Sequence, residues 1–152
     1  MSFLVDTNVL LRSIDSSHSM NAVAVTALTT LRKKGEQLYI TSQNLIEFWN
    51  VYTRPMERNG LGGTPQEAEA EIRQLKAFFP LLLDTTAIYP QWERLVIAYA
   101  VSGVKVHDTR LVATMLVHGL THILTFNSGD FVRFSEITAV HPTTVTVEPN
   151  QG

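Results

Sequence analysis

At 152 residues, 45% hydrophobic and 17% charged, the chain has the length and apolar content of one globular domain with a sizeable core, which excludes a disordered polymer. No apolar run approaches the roughly 20 residues of a membrane span, and the absence of cysteine excludes disulfides and thiolate metal sites. A formal charge of −2 excludes a surface built as a whole to hold nucleic acid, but is compatible with an enzyme that meets RNA briefly while cations or local arginines offset its acids.

The first residues, Met1 to Val5, form a run that is apolar but for Ser2, the pattern of a short strand buried on both faces of a parallel sheet. Neither a basic region nor a long apolar core precedes it, so no signal peptide is expected and the cytoplasm is the default location. Asn8 to Arg12 predicts one or two helical turns. Ser16-Ser-His-Ser offers N-caps for a helix to about Lys34, stopped by Gly35, with Val23, Ala27, Leu28 and Leu31 on one face. Gln37 to Thr41 reads as the second strand. Ser42 is placed to cap the next helix, which ends before Pro55.

Asn59-Gly-Leu-Gly-Gly is the most flexible stretch by composition. Thr64-Pro65-Gln-Glu67 then combines an N-cap, a proline at the first helical position and an acid at the third, starting a helix that runs to Phe79. Leu81-Leu-Leu predicts a third strand. A helix opening near Thr86 carries Trp92, Leu95, Val96 and Tyr99 and closes at Gly103. Another begins at Asp108, turns Leu111, Val112, Met115 and Leu116 inward, and stops at Gly119. His122 to Thr125 and Ile137 to Val140 are the last strands. The expected architecture is a three-layer α/β/α sandwich around a mainly parallel sheet of about five strands, spanning residues 1–142 as a single domain. Residues 143–152 form a C-terminal tail, of which Thr143 to Val147 either pairs as an edge strand or trails loosely.

Three acids sit where such a sheet places its chemistry. Asp6 directly follows the first strand, Glu47 lies in the helix after the second, and Asp108 opens a helix at Val106-His-Asp-Thr-Arg. Asn127 and Asp130 follow the apolar stretch His122-Ile-Leu-Thr-Phe. Each has a plain structural explanation. Asp6 suits an Asx-turn or N-cap, with Asn8 and Thr7 able to orient it. Glu47, among Leu45, Ile46, Phe48 and Trp49, either faces solvent at the edge of a greasy helix or is buried and paired. Asp108 complements a helix dipole. A helix capped by Asn127 and exposure of Asp130 to solvent explain the last two. His107 is tempting as a general base, but adjacent residues on a helix diverge; His18, His118, His122 and His141 lack metal-ligand spacing and read as structural.

Taken together, the βα pattern carries these groups to one edge of the sheet. Crowded carboxylates repel unless a cation or raised pKa values relieve them. An oxygen-only donor set favours Mg²⁺, or Mn²⁺, over zinc.

In this order and spacing, Val5-Asp-Thr-Asn-Val-Leu, Glu47, Val106-His-Asp-Thr-Arg-Leu-Val-Ala and Leu124-Thr-Phe-Asn-Ser-Gly-Asp-Phe resemble the PIN-domain ribonucleases, and among them the small VapC-type toxins of toxin–antitoxin pairs. The resemblance covers Met1 to about Pro142. It implies a metal-dependent endoribonuclease whose Asp6, Glu47 and Asp108 bind Mg²⁺, with the fourth acidic position falling on Asn127 or Asp130. An amide at Asn127 supplies no charge, which bears on whether a second metal binds. Thr7, Asn8 and Thr125 would orient the ligands, and Arg12, Arg54 and Arg110 are candidates for contact with the RNA backbone. The resemblance also implies frequent homodimers and inhibition by a cognate antitoxin inserting a peptide near the acids. Two other classes stay open: a doubly wound phosphatase or phosphotransferase with Asp6 as covalent nucleophile, which would usually want an acid where Asn8 stands, and a nucleic-acid-binding module without strong catalysis.

Overall fold

The computed structural model describes residues 1–145. Among the described residues a five-stranded sheet has the order β3-β2-β1-β4-β5, with β1 at Ser2–Val5, β2 at Gln37–Thr41, β3 at Leu81–Leu82, β4 at His122–Leu124 and β5 at Thr138–Val140. Every neighbouring pair is parallel, with Leu4 opposite both Tyr39 and Ile123. Parallel strands need covered crossovers, which are supplied by α1 (Thr7–Ile14), α2 (Asn21–Lys33), α3 (Ser42–Thr53), α4 (Pro65–Phe78), α5 (Ile88–Ala98) and α6 (Lys105–Val117). Phe3 and Val5 join one core with residues of α1 to α4, while Leu4 and Ile123 join a second core with residues of α5 and α6. The expected three layers are therefore present, and β1 is buried on both faces.

The chain leaves β1 in one direction to build β2 and β3, then returns to the other side of β1 for β4 and β5. The sheet thus switches direction between β1 and β4. Ligand crevices form at the carboxyl ends of strands flanking such a switch, and Asp6 and Thr125 are the residues that emerge there.

Several local boundaries differ from the sequence reading. The N-cap of α3 is Thr41, not Ser42, because Asn44 completes a reciprocal capping box with it; the Ser42 hydroxyl instead donates to Asp84. Helix α2 starts at Asn21, after a turn in which the His18 ring accepts from the Met20 amide. Its buried face uses Ala24 where Val23 was expected. Helix α5 starts at Ile88 rather than Thr86 and gives way at Ala100, which takes the left-handed conformation (φ 49°) expected of a glycine; Gly103 instead precedes α6. Helix α6 starts one turn early, at Lys105, leaving Asp108 still in its first turn.

The glycine-rich stretch is not loose. Its amides close back on the end of α3, Leu61 donating to the Val51 carbonyl at 3.0 Å, Gly62 to Arg54 at 2.9 Å and Gly63 to Tyr52 at 2.8 Å. Carbonyls that a helix end leaves unpaired are thereby satisfied, and a side chain on Gly60 would collide with the Arg54 carbonyl. In the tail, Pro142–Thr144 forms a 3-10 turn and not an edge strand. Residues 146 and 147 of that expected strand lie outside the described residues.

Candidate active site

Asp6 caps α1 and is 7% exposed. Its Oδ1 accepts from the Thr7 amide at 2.8 Å, and its Oδ2 accepts from the Thr125 hydroxyl at 2.8 Å and the Asn8 amide at 3.4 Å. Asn8 ties the two sides of the switch together, donating to Thr125 Oγ1 and accepting from the Phe126 amide. Burial pushes the Asp6 carboxyl up from 3.8 to about 6; the Thr125 and Thr7 hydrogen bonds oppose that rise, while the charges of Glu47 and Asp108 add to it. The charges acting on Asp6 thus include two of its own sign.

Glu47 comes from α3, which buries polar side chains beside its apolar Leu45 and Phe48. Gln43 and Asn44 are buried and Glu47 is half-buried, whereas Ile46 is 69% exposed. Positions 43 and 47 share a helix face, and that face looks onto α1. Glu47 Oε2 accepts from the Thr7 hydroxyl at 3.0 Å, and Oε1 accepts from Gln43 Nε2 at 3.0 Å. The Thr7 hydroxyl in turn accepts from Asn44 Nδ2. Asp108, half-buried in the first turn of α6, is raised by burial, by the charge of Asp130 and by that of Glu47, and lowered by Lys105 and His107.

Asp6, Glu47 and Asp108 therefore lie within electrostatic reach of one another, with Asp130 next to Asp108. Asp130 pairs with Lys105 Nζ at 2.8 Å, and Asn127 is exposed, its backbone amide donating to Thr125. Of the two candidates for the fourth position, Asp130 is the one whose charge reaches the cluster. Among the described residues, no three His, Asp or Glu side chains already close around one point as a finished cation cage. The donor chemistry nonetheless fits a hard divalent cation: oxygen ligands, one deeply buried, crowded by like charges that such an ion would neutralise.

The arginines separate. Arg110 donates to Gln43 Oε1 and to Asp84, directly behind the cluster. Arg54 donates to the Asn59 carbonyl, about 10 Å along α3 from Glu47. Arg12 lines a different cavity, with Tyr52 and the glycine-rich turn. His107 is exposed and contributes its backbone carbonyl, which accepts from Gln43. His18 and His141 are engaged with local backbone and His118 with the distant Leu83 carbonyl, as structural histidines would be. Sequence reasoning passed over Gln43, Asn44 and Lys105. The available signal was Gln43 lying four residues before Glu47, on the same face of an otherwise greasy helix.

The PIN domain family model matches residues 3–137. No curated protein matches the sequence. Among solved structures, the chain is similar to the VapBC2 complex of Rickettsia felis bound to promoter DNA (TM-score 0.71, 12% identity, 93% of this chain and 98% of that one). It is also similar to a toxin–antitoxin complex from Klebsiella pneumoniae (0.63, 22%, 91% and 96%) and to VapC20 of Mycobacterium tuberculosis, a sarcin-ricin loop cleaving toxin (0.66, 16%, 89% and 96%). The parallel five-stranded sheet accords with a family match over most of the chain: the protein belongs to the PIN domain family.

Proposed function

We propose that the protein is a metal-dependent endoribonuclease, the toxin of a toxin–antitoxin pair, acting through Asp6, Glu47 and Asp108. The observation that carries this reading is the gathering of three acids, from three different βα segments, at the β1/β4 switch point, where burial and like charge push Asp6 up to about 6. Mg²⁺, or Mn²⁺ in its place, would be held by these residues, with Asp130 beside them, and would supply Lewis acidity and counter-charge for a phosphodiester.

The chain's own groups prepare that site. Thr125 and the Thr7 amide fix both oxygens of Asp6, and Thr7 and Gln43 fix both oxygens of Glu47. These hydrogen bonds orient the ligand oxygens, and a bound cation would have to draw the acids closer together. Asp130 is paired with Lys105. The covalent-nucleophile alternative fits less well, because Asp6 is buried with both oxygens engaged and has Asn8 where a second acid is wanted.

Structures of VapBC and FitAB complexes among the similar folds support a cognate antitoxin as partner, and the VapC20 fold supports RNA as substrate. A homodimer belongs to the same proposal; exposed Ile46, Tyr89 and Ile97 supply apolar surface for it. No helix among the described residues is long and apolar enough to cross a membrane, and a cytoplasmic site of action is part of the proposal. The test is cleavage of an RNA oligonucleotide in Mg²⁺. Activity should vanish in Asp6→Asn and Asp108→Asn with unchanged circular dichroism; a wild-type rate in either variant would overturn the assignment.

A further inference from the structure

Gln43 is 9% exposed and uses its whole carboxamide. Nε2 donates to Glu47 Oε1 at 3.0 Å and to the His107 carbonyl at 2.8 Å, while Oε1 accepts from Arg110 Nη1 at 3.2 Å. The Arg110 contact settles which end of the amide faces Glu47, since a guanidinium can only donate. Arg110 Nη2 is anchored in turn by Asp84 Oδ1 at 3.3 Å, and Asp84 Oδ2 accepts from Ser42, the residue before Gln43. The carboxamide thus joins two helices that each bring an acid to the site: α3, with Glu47, and the first turn of α6, with Asp108.

We infer that Gln43, oriented by Arg110, is a positioning residue that fixes Glu47 against the first turn of α6 and so sets the spacing of the acids. The inference rests on the nuclease reading above. It assigns Arg110 to this relay and not to the RNA backbone. It also gives Gln43 a duty that packing alone would not require, because a merely bridging side chain needs the Arg110 contact and not the donor to Glu47.

Two substitutions of similar volume separate these roles. Gln43→Glu keeps an acceptor for Arg110 and strengthens that pair, yet removes the donor shared by Glu47 and the His107 carbonyl and places a like charge beside Glu47. Gln43→Met removes every polar contact. In the full chain, both should lower kcat and weaken Mn²⁺ binding by about 10- to 100-fold, the usual effect of losing a group that orients a metal ligand, with KM for the RNA unchanged. Arg110→Met should lower kcat in the same direction, again without raising KM. Thermal melting confirms folding, and Mn²⁺ titration followed by calorimetry gives a readout independent of turnover.

Wild-type Mn²⁺ affinity and kcat in folded Gln43→Glu would overturn the inference and leave a structural bridge. Arg110→Met that raises KM at constant kcat would overturn it in favour of an RNA grip. In both cases an active wild type leaves the nuclease reading intact. A wild type that neither binds Mn²⁺ nor cleaves RNA removes that reading, and this one with it.

Discussion

Replacing Asp6 by asparagine should make the metal-free protein more stable while abolishing its activity. In the folded chain the carboxyl is pushed from 3.8 to about 6, chiefly by burial. The native state therefore holds this proton more tightly than the unfolded chain, so the contribution of Asp6 to stability is greatest below about pH 4 and declines as pH rises through 6. At 1.36 kcal/mol per pK unit, the charged form carries a penalty of at most about 3 kcal/mol at pH 7.5. An amide of the same shape avoids that charge and can still accept from the Thr7 amide. In a domain of this size each kcal/mol moves Tm by roughly 2–4 °C, so Asp6→Asn should melt several degrees above wild type in EDTA at pH 7.5. At pH 5, where wild-type Asp6 is largely protonated, the gap should shrink to about half. Added Mn²⁺ should reverse the order by stabilising only the wild type. A variant that melts at or below wild type in EDTA at pH 7.5, or a gap that widens on acidification, would refute the reasoning.

Further consequences follow from the same contacts. Thr125→Val removes the strongest hydrogen bond holding the Asp6 charge; a ¹³C NMR titration of the metal-free protein should find Asp6 above its wild-type value, and urea unfolding a loss of about 1–3 kcal/mol. Phe48→Ala empties a fully buried position stacked on Tyr52 under α3, and should cost about 3–5 kcal/mol in urea with an unchanged m-value. Thr64→Ala breaks the capping box of α4 and should cost about 1 kcal/mol without changing cleavage, since the hydrogen bonds of Thr64 run to Glu67 and not to the site. Chelation with EDTA should abolish RNA cleavage, and Mn²⁺ should restore it.

The alternation of strands and helices was legible because β1 and β4 are apolar after their first residues, Ser2 and His122, and because Thr64-Pro65-Gln-Glu67 announces a helix by composition alone. Asp6 and Asp108 were legible as well, since a carboxylate at the mouth of a buried strand or in the first turn of a helix has few places to point. The inward face of α3 was not. Large apolar neighbours around Glu47 left open whether it faced solvent or was buried and paired, and gave no sign that the helix exposes Ile46 and buries Gln43 and Asn44. The cause is tertiary: Thr7 and His107, both remote in sequence, supply the partners that make burying those amides tolerable. The glycine-rich turn misled for a related reason. Its glycines admit close backbone approach to α3, and composition alone does not distinguish that from looseness.

The sharpest test is a manganese-soaked crystal of the full chain, examined by anomalous scattering. A peak coordinated together by Asp6, Glu47 and Asp108 is the expected result. Manganese bound elsewhere, or held without Glu47 or Asp108, would contradict the proposed chemistry whatever the fold.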